Sequence, residues 1–91
     1  MLNGRVSVAN ALGLHARAAA KLVRVARSFK SEIRISRLDN GESTDAKSIL
    51  GVLGLAATKG TTLKLDVEGD DQSDALEAIT KLFESGFGES N

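Results

Sequence analysis

The sequence contains no cysteine, proline, tryptophan or tyrosine, and its only aromatic residues are three phenylalanines. Without cysteine there is no disulfide framework, thiolate zinc site or cysteine nucleophile, and nothing points to an oxidising compartment. An excess of charge is also missing, since 12 Lys and Arg stand against 12 Asp and Glu. Nucleic-acid binding is set aside, because both a basic footprint and an aromatic stacking platform are lacking. No run approaches the roughly 18 apolar residues of a membrane span. The start, Met1-Leu2-Asn3-Gly4-Arg5, lacks the apolar centre of a signal peptide, so a cytoplasmic location is expected. A chain of 91 residues buries only about 60 to 65% of its unfolded surface, enough for one core and one surface site but no deep multi-substrate cleft. One domain over residues 1–91 is expected.

The neutral total conceals a gradient. Residues 1–37 carry Arg5, Arg17, Lys21, Arg24, Arg27, Lys30, Arg34 and Arg37 against the single acid Glu32. Residues 66–91 reverse this, with eight acids and one base, Lys81. Two readings are compatible: neighbouring elements that neutralise each other, or a basic docking face for acidic partners.

Val6 and Val8 alternate with polar neighbours, which predicts a half-buried strand followed by a loop at Asn10 to Leu14. From Ala16 to Phe29 the apolar positions Ala19, Leu22, Val23, Ala26 and Phe29 recur at three- and four-residue spacing, predicting an amphipathic helix with a basic outer side. Glu32 to Ser36 alternates again, and Asn40-Gly41 predicts a type I′ hairpin leading to a short polar strand over Glu42 to Asp45. A second helix is predicted from Ile49 to about Ala57, then a strand carrying Leu63, Leu65 and Val67. A last helix follows, with Ala75, Leu76, Ile79, Leu82 and Phe83 inward. Gly86 suits its left-handed C′ position, and Phe87 the apolar contact after it. The order β-α-β-β-α-β-α indicates an α+β open-faced sandwich: a four-stranded antiparallel sheet with three helices on one face and Ser7, Arg34, Lys64 and Asp66 on the solvated other.

The one histidine, His15, lies in Gly13-Leu14-His15-Ala16-Arg17, where a loop becomes a helix. Orphan backbone N–H groups and the positive end of the helix dipole converge there, an environment prepared for an anion. A neutral imidazole offers one nitrogen lone pair as a nucleophile, and a phosphoryl group placed on it would meet these amides and Arg17. The helix terminus and Arg17 both favour the neutral ring. By itself this constellation is more often the mark of a surface or cap residue than of a covalent carrier. A metal role lacks a second histidine or a cysteine, and a Ser-His-Asp hydrolase lacks a cleft and an oxyanion hole. Ser48 is placed to cap the second helix. Ile49, Leu50, Val52, Leu53, Leu55, Ala56 and Ala57 make that helix apolar nearly all round, so part of it must stay exposed, as partner surfaces do.

With these residues the chain resembles the HPr family, small phosphocarriers of the bacterial phosphoenolpyruvate-dependent phosphotransferase systems. The motifs are Gly13-Leu14-His15-Ala16-Arg17, then Lys47-Ser48-Ile49 with Gly51-Val52, then Lys59-Gly60-Thr61, and the resemblance spans essentially the whole chain. It implies that His15 accepts a phosphoryl group from enzyme I on Nδ1 and passes it to an enzyme IIA-type domain. Arg17 and the backbone of Ala16 and Arg17 stabilise it there. Ser48 matches a serine that HPr kinase/phosphorylase modifies in some lineages. Ala16, Ala20, Ile49, Leu50 and Leu53 match the partner-contact surface, which Arg24, Arg27 and Lys47 extend with positive charge. The resemblance implies no cofactor, no metal, no membrane insertion and a monomer that carries phosphate without being an enzyme. Two departures stand out. Ala18 replaces the family proline, restoring an amide and removing rigidity. Leu82 to Phe87 is similar to the nitrogen-related NPr branch, whereas the Lys47-Ser48 pair is found outside it, so sugar transport and nitrogen-linked regulation both stay open. The alternative is a regulatory binding module read through phosphorylated Ser48 without turnover at His15.

Overall fold

Four strands and three helices account for most of the chain in the computed structural model, which describes residues 1–89. They are β1 (Leu2–Ser7), α1 (Ala16–Arg27), β2 (Glu32–Arg37), β3 (Ser43–Asp45), α2 (Ile49–Gly54), β4 (Thr62–Glu68) and α3 (Gln72–Glu84), followed by a 3₁₀ turn at Gly86–Gly88. All pairings are antiparallel, in the order β1-β4-β2-β3. The order accords with burial, because the inward positions of β4, Leu63, Leu65 and Val67, are all completely buried. It sits between β1 and β2, with Leu65 opposite both Gly4 and Ile35.

The period-two pattern sends Val6, Ile33, Ile35, Leu63, Leu65 and Val67 into the core. There they meet Ala19, Leu22, Val23 and Ala26 of α1, Val52 of α2 and Ala75, Ile79 and Phe83 of α3. Burying a Leu or Val side chain contributes about 1.5 to 3 kcal/mol, so the α1 stripe alone commits that helix to this face. Arg34 and Ser7 point outward and are exposed, while Lys64 and Asp66 are half-buried on the same side. The fold is the expected open-faced sandwich.

Several boundaries differ from the sequence reading. The first strand begins at Leu2, and Val8 lies past it, buried and bonded through its N–H to Thr61 O at 3.0 Å. Helix α1 stops at Arg27, because Ser28 and Phe29 donate to Val25 O and Ala26 O in tightened bonds. Helix α2 stops at Gly54, short of Ala57. Leu55 and Ala57 turn into the core while Ala56 takes a positive φ of 50°. The β2–β3 hairpin forms, but its turn is not type I′: Gly41 has positive φ, at 76°, and Asn40 does not. The strands are joined by the wider loop 38–41, closed by Arg37 N donating to Glu42 O at 2.8 Å and Gly41 N to Arg37 O at 3.0 Å. Side chains explain the choice. Arg37 pairs with Asp39 through Nε (2.9 Å) and Nη2 (2.7 Å), and Asn40 Oδ1 accepts from Glu42 N at 2.9 Å. These bonds favour the longer loop over the two-residue turn that the Asn-Gly pair alone predicts.

Candidate functional site

The segment before α1 is shaped by Gly13, whose φ of +67° and close approach to Ala57 O leave no room for a side chain. Leu14 N donates to Ala57 O at 2.9 Å, tying the start of α1 to the segment after α2. At the other end of α1, Arg27 Nε donates to Lys47 O at 3.0 Å. Helices α1 and α2 therefore pack antiparallel.

His15 is the N-cap of α1, as its position in the sequence predicts, with extended backbone angles of −72° and 179°. Its Nδ1 accepts from Arg17 N at 3.4 Å. Ala16, Arg17 and Ala18 open the helix and have no helical acceptor for their N–H groups. The Arg17 side chain is exposed beside them.

The other ring nitrogen has a partner that sequence reasoning missed. After α3, Gly86 adopts φ 61° and Phe87, itself at φ 59°, is buried against Phe83 in an edge-on pair with centroids 4.9 Å apart. Lys21 Nζ donates to Phe87 O at 2.7 Å. The chain then brings Glu89 to His15, with Nε2 to Oε2 at 2.6 Å. Asn10 Nδ2 donates to the other carboxylate oxygen, Oε1, at 3.0 Å and to Gly13 O at 2.8 Å. The histidine bond first, and then the Asn10 amide, hold the Glu89 carboxyl below the usual carboxylate range. An ionised carboxylate only accepts, and Arg17 N only donates, so the neutral ring carries its hydrogen on Nε2 and its lone pair on Nδ1. Nothing local marks Glu89, which lies 74 residues from His15. Asn10 and Gly13 fall in the predicted loop but carried no role there.

Ser48 caps α2, its Oγ accepting from Gly51 N at 3.1 Å. The antiparallel arrangement puts it at the far end of the helix pair from His15, about 18 Å away along a 12-residue helix. The expected contact residues sort by exposure. Leu50 is 79% exposed and Ile49 37%. Ala16, Arg24 and Arg27 are exposed, while Ala20, Lys47 and Leu53 are half-buried. Lys47 Nζ is tied to Phe29 O at 2.9 Å. Leu12, 67% exposed in the loop before His15, is a further apolar surface residue that periodicity did not single out.

A shallow depression of about 350 Å³ lies on the outer sheet face among Glu32, Arg34, Asp45, Asp66 and Glu68. His15 is not part of it. Among the described residues, no group of three His, Asp or Glu side chains is arranged to hold a metal ion, and no helix is long and apolar enough to cross a membrane. His15 thus sits at the surface, partly exposed, at the amino end of α1 and outside any enclosed cavity.

Comparison with known proteins agrees with this fold. A family model described as the PTS HPr component phosphorylation site matches residues 2–85. The chain is 46% identical over 89 residues to the phosphocarrier protein HPr of Cupriavidus necator, covering 98% of each chain. It is 44% identical to that of Xylella fastidiosa strain Temecula1, again over 98% of each. The crystal structure of HPr-C-His from Thermoanaerobacter tengcongensis superposes with a TM-score of 0.94 at 38% identity, covering both chains completely.

Proposed function

The chain belongs to the HPr family of phosphotransferase-system phosphocarriers, and on that premise we propose that His15 is the residue that carries the phosphoryl group. The observation that carries the reading is the orientation of the imidazole: Nε2 is engaged by Glu89, and Nδ1 lies at the open amino end of α1. In the proposed step the Nδ1 lone pair forms the N–P bond as the bond from phosphorus to the leaving atom of enzyme I breaks, its electron pair staying on that atom. Arg17 and the N–H groups of Ala16 and Arg17 neutralise the charge that arrives. The reverse displacement passes the group to an enzyme IIA-type domain. Both transfers occur inside a complex, so positioning and charge neutralisation by the two proteins lower the barrier.

The docking surface consists of Ala16, Ala20, Ile49, Leu50 and Leu53, bordered by Arg24, Arg27 and Lys47. Exposure of Leu50 and Ile49 in a helix whose Val52 is fully buried supports this assignment. Ser48 stands at the border of that patch and is the proposed regulatory site for an HPr kinase/phosphorylase. A phosphate there adds about −1.5 to −2 charges, which suits the amino end of α2 yet repels an acidic partner. We place the protein in the cytoplasm as a monomer that needs no cofactor of its own.

The test is intact mass after incubation with phosphoenolpyruvate and a bacterial enzyme I. A single acid-labile phosphate, absent from His15→Ala, is expected. No adduct, with the protein folded and a control carrier labelled, would overturn the carrier reading and favour a module read through Ser48.

A further inference from the structure

We infer that Glu89 is a positioning residue for His15: it holds the imidazole in the Nε2–H form, aims Nδ1 at the incoming phosphoryl group and balances the positive charge the ring acquires. The inference rests on the carrier reading and adds a residue to it. Its basis is the set of contacts around one carboxylate. Oε2 accepts from His15 Nε2 at 2.6 Å, and Oε1 accepts from Asn10 Nδ2 at 3.0 Å. Both carboxylate oxygens are therefore committed, which fixes the plane of the group and the ring it contacts.

Asn10 shows that this support is built in. It is only 2% exposed and spends both amide hydrogens, one on Gly13 O and one on Glu89. Its Oδ1 is buried with no partner among the described residues. Turning the amide over would set Oδ1 against the Gly13 carbonyl, two acceptors facing each other, so the orientation that serves Glu89 is kept even though it strands an oxygen. The backbone leading to Glu89 is anchored independently, by burial of Phe87 and by Lys21 Nζ on Phe87 O.

The chemistry needs such a group. When the Nδ1 lone pair bonds to phosphorus the ring keeps its Nε2 hydrogen and becomes cationic. When the group moves on, the N–P pair returns to Nδ1 and neutral imidazole leaves. A carboxylate on Nε2–H stabilises the cationic ring that forms as the group arrives, the role a buried aspartate plays behind a catalytic histidine, and keeps the hydrogen on Nε2 when neutral imidazole leaves. On Nδ1, Arg17 N at 3.4 Å is a long bond that an incoming group readily displaces.

The experiment uses the full chain with Glu89→Ala and Glu89→Gln. Imidazole ¹⁵N shifts are recorded with the ring neutral, and phosphorylation by enzyme I and phosphoenolpyruvate is followed at varied carrier concentration. For Glu89→Ala we expect a higher Nδ1–H population and a maximal rate lower by about tenfold, at unchanged half-saturating concentration, the low end for removing a partner that orients a histidine. Glu89→Gln keeps one acceptor oxygen for the two donors, Nε2–H and Asn10 Nδ2, and has no charge, so its tautomer population and rate should fall between those of Glu89→Ala and the wild type. Wild-type rates and shifts in both variants would overturn the inference, as would a rate loss with unchanged shifts or one confined to half-saturation. A wild-type protein that accepts no phosphate would overturn the carrier reading and this inference together. Variants equal to a phosphorylated wild type overturn the inference alone.

Discussion

Helices α1 and α2 begin with the same device and use it differently. Each is opened by a side chain that accepts from a backbone N–H of its first turn: His15 from Arg17 N at 3.4 Å, Ser48 from Gly51 N at 3.1 Å. Ser48 makes the shorter bond, and its hydroxyl is engaged in capping a helix of only six residues. His15 makes the longer one, heads a helix of 12 residues, and is held from behind by Glu89. One cap is engaged through its only side-chain oxygen, and the other is the proposed phosphoryl acceptor. What separates them is the group that tertiary structure brings to the far side of the cap.

The largest expected effect breaks the comparison at its chemical end. His15→Ala should abolish phosphoryl acceptance, read as loss of the acid-labile mass adduct, while losing a cap costs about 1 kcal/mol and leaves the protein folded. A second variant removes the scaffold beneath it. In Gly13→Ala the new Cβ would lie 2.5 Å from Ala57 O at a φ of +67°. About 3 kcal/mol of destabilisation is expected, because both a backbone clash and a left-handed residue are imposed. Thermal denaturation should show a Tm lower by more than about 10 °C.

At the other cap, Ser48→Asp should leave the fold intact and weaken enzyme I binding several-fold, measured by titration calorimetry. An unchanged affinity would remove the charge-switch argument. Ser48→Ala should lower stability by about 1 kcal/mol with little effect on docking, separating the cap role from the charge role.

The smallest effect concerns acid. Asp71 is the N-cap residue of α3, but its side chain makes no capping bond there. Its carboxylate accepts from the Ser31 hydroxyl, Lys30 N and Ser31 N, which hold it below the usual Asp range. A carboxyl whose folded pKa is depressed contributes stability that is present above its unfolded pKa and lost as pH falls through the folded one. Asp71→Asn should therefore flatten the decline in Tm below about pH 4. The same sign applies to Glu89 at His15, so Glu89→Gln should flatten that decline independently.

Much of the fold was legible in the chain. The alternation of Leu63, Leu65 and Val67, the 3–4 spacing of Ala19, Leu22, Val23 and Ala26, and the Gly86-Phe87 ending all lie where periodicity and end signals place them. The errors were local preferences outvoted by neighbours. The Asn40-Gly41 pair favours a two-residue turn, but the Arg37 to Asp39 bonds hold a wider one. Continuous apolar character extends the second helix to Ala57, but burial of Leu55 and Ala57 ends it at Gly54.

At the site the division is sharper. By itself the sequence determined element order and the two cap positions, because helix periods, strand alternation and caps are interactions over four residues or fewer, written in adjacent letters. Tertiary structure alone decided that α1 and α2 run antiparallel with their caps far apart, and that Glu89 and Asn10 meet behind His15. Those outcomes depend on how β4 inserts between β1 and β2 and on where α3 ends. A contact across 74 residues leaves no periodic trace, since only the packed core sets where its two ends arrive.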